Sequence, residues 1–283
     1  MASPTPPVVT IARSSSAGAR RRAALEWLDA RPAHGLATVV GHTLEAAHEL
    51  GYDAAKRRGA VFGQSRTTLK RLAAELAAGP LADRGLVAVG QLPLEALAAS
   101  IVVGATGMLG RFQVIADRPG LPRALTRTIG ELRMEGAVPE AHHDPELAAF
   151  AAAYEAALAK SRFADLATVV GLAVEAARER PPGGALVLLD VAVEHQRLAE
   201  LVAALAARAE ATFITVAHGD ERTSRLLERA LPGAEIALVE PPAAGALSRA
   251  QRHLFGAAPA ESAPPEPERV EVFSSPGESR ECV

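Results

Sequence analysis

The sequence predicts an α/β fold built on a parallel sheet flanked by helices, with a helical insertion, and three observations carry that prediction. Short β-rich runs alternate with helical stretches before residue 80 and again after residue 181. One run, Ala185-Leu186-Val187-Leu188-Leu189-Asp190, is continuously apolar up to its final aspartate, as a strand covered on both faces must be. Between Leu81 and Arg180 strand signals nearly vanish, and the leucine and alanine spacing becomes helical.

The elements follow in order. Pro7-Val8-Val9-Thr10-Ile11-Ala12 reads as a strand, and the alanine- and leucine-rich stretch Ala17–Ala30 behind it as a helix. The pattern repeats as a strand over Leu36–Gly41 with a helix over Thr43–Arg58, then as Ala60-Val61-Phe62 with a helix over Thr67–Ala78. Helices are expected near 93–103, 121–135, 145–160 and 163–179. Pro181-Pro182-Gly183-Gly184 ends the insertion and the apolar strand follows. Leu198, Leu201, Val202 and Leu205 fall at the i, i+3, i+4, i+7 positions of a core-facing helix. A strand over Ala211–Val216, a helix over Thr223–Ala230 and a strand over Glu235–Val239 complete the core. The organisation expected is therefore an α/β core of residues 1–80 and 181–256 with 81–180 inserted. A Pro/Glu-rich linker at 257–269 then precedes a second domain, begun by the strand Val270–Phe273 and broken off within 270–283.

Composition narrows the classes. The 283 residues are 49% hydrophobic and 22% charged, enough for a sizeable core. A net charge of −3 gives no global positive field for nucleic acid, so any DNA contact must come from local patches. The single cysteine, Cys282, excludes an internal disulfide framework and a cysteine-based zinc site, and a reducing cytoplasm is the expected compartment. No apolar run approaches the roughly 18 residues that span a bilayer, so no membrane partner is expected.

Several segments stand where chemistry would be sought. A phosphate-binding loop follows its strand with GxxxxGK[ST]; here that place reads Ala12-Arg13-Ser14-Ser15-Ser16-Ala17-Gly18-Ala19-Arg20, which keeps one glycine and lacks the lysine and hydroxyl. A serine-rich turn capping a helix accounts for it, and a residual phosphate site using Arg13 or Arg20 is the competing reading. Asp190 ends the apolar strand where a helicase-type ATPase keeps its magnesium-binding aspartate, but Val191 follows in place of a glutamate; capping the next helix is the reading favoured for Asp190. Gly219-Asp220-Glu221-Arg222-Thr223 has Thr223 where a nucleotide-sensing glutamine would stand, and reads as a helix start with acidic first-turn residues.

Gly104, Gly107 and Gly110 form a GxxGxxG run after Ile101-Val102-Val103, the sharpest match to an NAD(P)-binding turn. It is buried deep in the helical region, and Pro119-Gly120 interrupts the helix that would carry the phosphate dipole, so a turn between helices is expected and an NAD(P)-binding oxidoreductase is the alternative function. His142-His143-Asp144 reads as a polar loop, and no metal site is expected. Basic clusters occur at Arg20-Arg21-Arg22, Lys56-Arg57-Arg58 and Lys70-Arg71, on solvated helix faces or along a DNA backbone.

On these residues the chain resembles the N-terminal part of AddB-like helicase-nucleases of the PD-(D/E)XK family, which join a superfamily I helicase fold to a C-terminal nuclease. The matching stretches are Ala60–Gly63 with Thr67-Thr68-Leu69, Pro122–Arg133, Leu188-Leu189-Asp190 and Gly219–Thr223, with Val272–Glu281 resembling the opening of the second helicase domain. The resemblance implies a P-loop helicase-like core in DNA double-strand break repair and recombination, serving in DNA binding or scaffolding beside a helicase-nuclease partner subunit. The degraded nucleotide positions Arg13, Gly18, Asp190 and Asp220 imply no bound cofactor and no activity in this chain alone, which would be a fragment or truncated form. The resemblance places a DNA contact at His42 and Thr43, and Thr67 and Arg71 are further candidates.

Overall fold

The computed structural model describes residues 8–104, 109–137, 143–179 and 183–239. Gly107, His142, Cys282, the expected linker at 257–269 and the expected strand and helix within 270–283 lie outside these residues.

The first three βα units are β1 (Val8–Ser14) with α1 (Ala17–Asp29), β2 (Ala37–Gly41) with α2 (Leu44–Arg58), and β3 (Gln64–Thr68) with α3 (Leu69–Asp83). A short β4 (Val87–Ala88) leads to α4 (Gln91–Gly104), a 3-10 turn (Gly110–Ile115), α5 (Gly120–Met134), α6 (Pro145–Ser161), β5 (Phe163–Ala164) and α7 (Leu166–Glu179). The α/β rhythm then resumes with β6 (Ala185–Leu189), α8 (Gln196–Ala206), β7 (Ala211–Ala217), α9 (Glu221–Ala230) and β8 (Glu235–Leu238). The main sheet has six strands in the order β3-β2-β6-β7-β1-β8, every neighbouring pair parallel.

Side-chain alternation along the strands feeds two cores, because successive residues face opposite sides of a sheet. Ala12, Val39, Val187 and Phe213 pack with Leu25, Leu28 and Leu50 from α1 and α2. Their sequence neighbours Ile11, Val40, Leu188 and Ile214 pack on the other face against α3, α7, α8 and α9. The central β2 and β6 are buried at every position, which is why the run 185–189 is apolar throughout. Gly41 ends β2 where α2 comes closest, since a Cβ there would lie 2.7 Å from the amide nitrogen of Ala47.

The third strand is displaced from its expected place. It is Gln64–Thr68 and not Ala60–Phe62: Phe62 is 72% exposed, and Gly63, at a φ of +76°, turns the chain into the sheet. β3 is an edge strand, and a polar edge such as Gln-Ser-Arg-Thr-Thr both escapes a hydrophobic reading and discourages edge-to-edge pairing. The last inserted helix likewise starts later than expected, because Phe163-Ala164 pair with Val87-Ala88 as a two-stranded ribbon.

Within the inserted region α4, α5 and α6 have a core of their own, centred on Ile129, Phe150 and Tyr154, while α3 and α7 belong to the layer that covers the sheet. The two parts are stitched together by Arg133 of α5, which forks onto Asp165 (2.8 and 3.2 Å), donates to Thr168 (2.9 Å) and pairs with Glu155. Among the described residues no helix is long and apolar enough to cross a membrane.

Candidate functional site

The strand order selects the place to look. From β1 the chain crosses to β2 and β3 with α1 and α2 on one face; from β7 it crosses the opposite way to β8 with α9 on the other face. Connections that part to opposite faces open a crevice at the carboxyl ends of adjacent strands, the usual ligand position in an open α/β sheet. Here the condition is met between β2 and β6 and again between β1 and β7, and the second point has the end of β6 beside it.

A closed network of protein groups fills the second point. Arg20, one turn into α1 and 6% exposed, donates from Nε to Asp190 Oδ1 (2.7 Å) and from Nη2 to Oδ2 (3.0 Å), while its Nη1 donates to the carbonyl of Ser14 (2.6 Å). Thr215 of β7 is fully buried; its hydroxyl donates to Asp190 Oδ1 (2.7 Å) and accepts the Asp190 amide (2.8 Å). Asp190 itself has a φ of +51°, a left-handed conformation that aspartate tolerates better than most residues. The bidentate geometry is the strong form of a guanidinium–carboxylate contact.

The turn after β1 is short. Only Ser15 and Ser16 separate β1 from α1, and Ser16 caps the helix, its hydroxyl accepting the Ala19 amide (3.2 Å). Gly18 is already inside α1, where a Cβ would meet Ser16 Oγ at an ordinary 3.8 Å, so no close backbone approach requires it. Arg13 pairs with Glu228 of α9. Magnesium–ATP, the group a helicase core would hold, does not fit these residues: the connection is too short to wrap a phosphate, and both oxygens of Asp190 are engaged by Arg20. Among the described residues no group of three His, Cys, Asp or Glu side chains could hold a metal.

Asp190 does not cap the following helix. The residue at that position is His195, and the carboxylate is turned back into the sheet by Arg20 and Thr215. Asp220 does cap α9, accepting the Thr223 amide (3.0 Å). Thr223, 1% exposed, accepts the Val193 amide (3.0 Å) and so pins the loop after β6.

The glycine run falls at a junction of helical segments. Ile101–Gly104 are the last turn of α4 and Gly110 opens the 3-10 turn, so the motif lacks the strand that an NAD(P)-binding turn requires. The strand order disagrees as well, because in a Rossmann sheet the first strand sits beside the second, whereas β1 lies between β7 and β8.

The DNA candidates gather at the carboxyl ends of β2 and β3. His42 and Thr43 are exposed; the His42 amide donates to the Leu189 carbonyl (3.0 Å), and Thr43 caps α2 by accepting the Ala46 amide (3.2 Å). Arg71 is exposed and bridged to Glu75 (3.0 Å). Thr67 is corrected: at 2% exposure it faces the core, and its neighbour Thr68 is the cap of α3. Lys70 stands exposed beside them.

Arg20 as the partner of Asp190 is the residue that sequence reasoning missed. A signal existed, because Arg20, Ala24 and Leu28 recur at the spacing of one buried helix face, and an arginine on an apolar stripe needs a buried anion. No protein-family model matches this sequence, and no curated protein matches it.

Proposed function

We propose that this chain is a catalytically inactive helicase-like region of a DNA-repair helicase-nuclease, acting in DNA binding or scaffolding during double-strand break processing. The Arg20–Asp190 fork carries the reading: a protein cation takes the place that lysine, magnesium and phosphate would share in an active core, on a strand end that otherwise suits a helicase-type aspartate. The helical insertion between β3 and β6 and the exposed His42, Thr43, Lys70 and Arg71 at one rim of the sheet support the DNA part of it. The amino termini of α2 and α3 open at the same rim and favour phosphate there.

The test is fluorescence-anisotropy titration of the purified chain with single-stranded and duplex DNA at two salt concentrations, with ATP and NADH binding measured in parallel. DNA binding that weakens with salt, with a log–log slope of about −1.4 on single strands for the two phosphates that Lys70 and Arg71 neutralise, is the expected result, with no ATP binding. NADH binding without DNA binding overturns the reading in favour of an oxidoreductase, and ATP hydrolysis overturns its inactive character.

A further inference from the structure

We propose that the cleft between the inserted helices and the layer covering the sheet binds an amphipathic organic anion, a small molecule with an apolar body and one carboxylate, sulfonate or phosphate. The cleft encloses about 750 Å³, within the range of small-molecule sites. Its walls are Ala74 of α3, Leu94 of α4, Met134 of α5 and Val169 of α7. Apolar walls at this volume suit a compact apolar body, and polar groups at two levels orient it.

The deep level holds two hydroxyl side chains and a bridged carboxylate. Thr126 lines the cleft at 7% exposure, with its hydroxyl buried and without a hydrogen-bond partner. Tyr154, 1% exposed, lines the cleft as well; burial first, then the nearby charge of Asp165, pushes its phenol up to about 12, so it stays protonated. Asp165 also lines it, but its two oxygens are occupied by Arg133 and Thr168.

The outer level is cationic. Arg123 faces Glu95 at 3.8 Å and Arg127 bridges Glu131 at 2.9 Å, whereas Lys70 has no carboxylate within ion-pair distance among the described residues. Three cations against two carboxylates leave one positive charge in excess at the rim, set above apolar walls. His195, the other basic lining residue, is turned to Glu135 at 2.9 Å.

The probe is 8-anilinonaphthalene-1-sulfonate, titrated into the full chain by fluorescence and calorimetry. One saturable site is expected, with the probe displaced by decanoate and not by decanol. Gly130 lines the cleft and a Cβ there meets nothing within 4 Å, so the side chain of Gly130→Leu starts in open space at the cleft wall and weakens the probe by about tenfold or more by occupying part of the site. Lys70→Ala weakens it several-fold; Val114→Ser, at an apolar side chain 86% exposed elsewhere, leaves binding unchanged. A cooperative thermal melt of Gly130→Leu at or above the wild-type midpoint shows that the variant is folded. Non-saturable binding, indifference to Gly130→Leu, or equal displacement by decanol each overturns the proposal.

Discussion

Arg20 and Asp190 stand 170 residues apart in sequence, yet the guanidinium of one lies flat against the carboxylate of the other, two nitrogens on two oxygens. The pair ties the first helix to the end of the central strand. Arg20→Ala leaves a largely buried carboxylate without its cation and is expected to cost about 2–3 kcal/mol, below the full range for buried pairs because the Asp190 side chain is 28% exposed. Arg20→Met with Asp190→Asn is expected to lose less than Arg20→Met alone, giving a favourable coupling in a urea-denaturation double-mutant cycle.

Trp27 is the single tryptophan, and it stacks on Phe213 with ring centroids 5.4 Å apart while the Arg31 guanidinium lies over its ring at 3.3 Å from the centroid. Phe213→Ala is expected to destabilise by about 3–4 kcal/mol through the cavity it opens between α1 and β7. Intrinsic fluorescence reports the change directly: the emission of the folded variant shifts to the red as water reaches the indole.

Gly184 has a φ of +73°, and a Cβ there would collide with the Leu36 carbonyl, which accepts the Ala185 amide at 2.9 Å. Gly184→Ala is strained both by its backbone conformation and by the clash, and a loss of about 2 kcal/mol or more is expected in thermal melts. Gly130→Ala, in open space within α5, is expected to gain up to about 1 kcal/mol.

Tyr154 gives a pH signature. Its phenol titrates near 10 when unfolded and is raised to about 12 in the fold, so the folded state retains a proton that the unfolded state releases. Its contribution is complete below pH 10 and is lost as pH rises from there through 12. Urea midpoints at pH 9, 10 and 11 are expected to fall more steeply for the wild type than for Tyr154→Phe; equal slopes would show that Tyr154 does not carry the effect.

The strong elements were legible because burial dictates their composition. β6 is apolar since both faces are covered, and α8 shows its stripe since only one face is. β3 was not legible in place, because an edge strand pairs through its backbone and its side chains are free to be polar. At the site, the serine-rich turn and the Asp220 cap could be read locally, from residues three apart. The Arg20–Asp190–Thr215 network could not, because its members come from α1, β6 and β7 and meet only through strand order. Thr67 and Thr68 are adjacent and chemically identical; only the alternation of β3 decides that one faces the core and the other the helix cap.

The brevity of the Ser15-Ser16 connection ties backbone length to charge pairing. Residues inserted between Ser14 and Ala17 would shift Ser16 from its cap and draw Arg20 away from Asp190 in the same event. A broken cap and an orphaned carboxylate would then be felt together, so this turn tolerates added length less well than an ordinary surface loop.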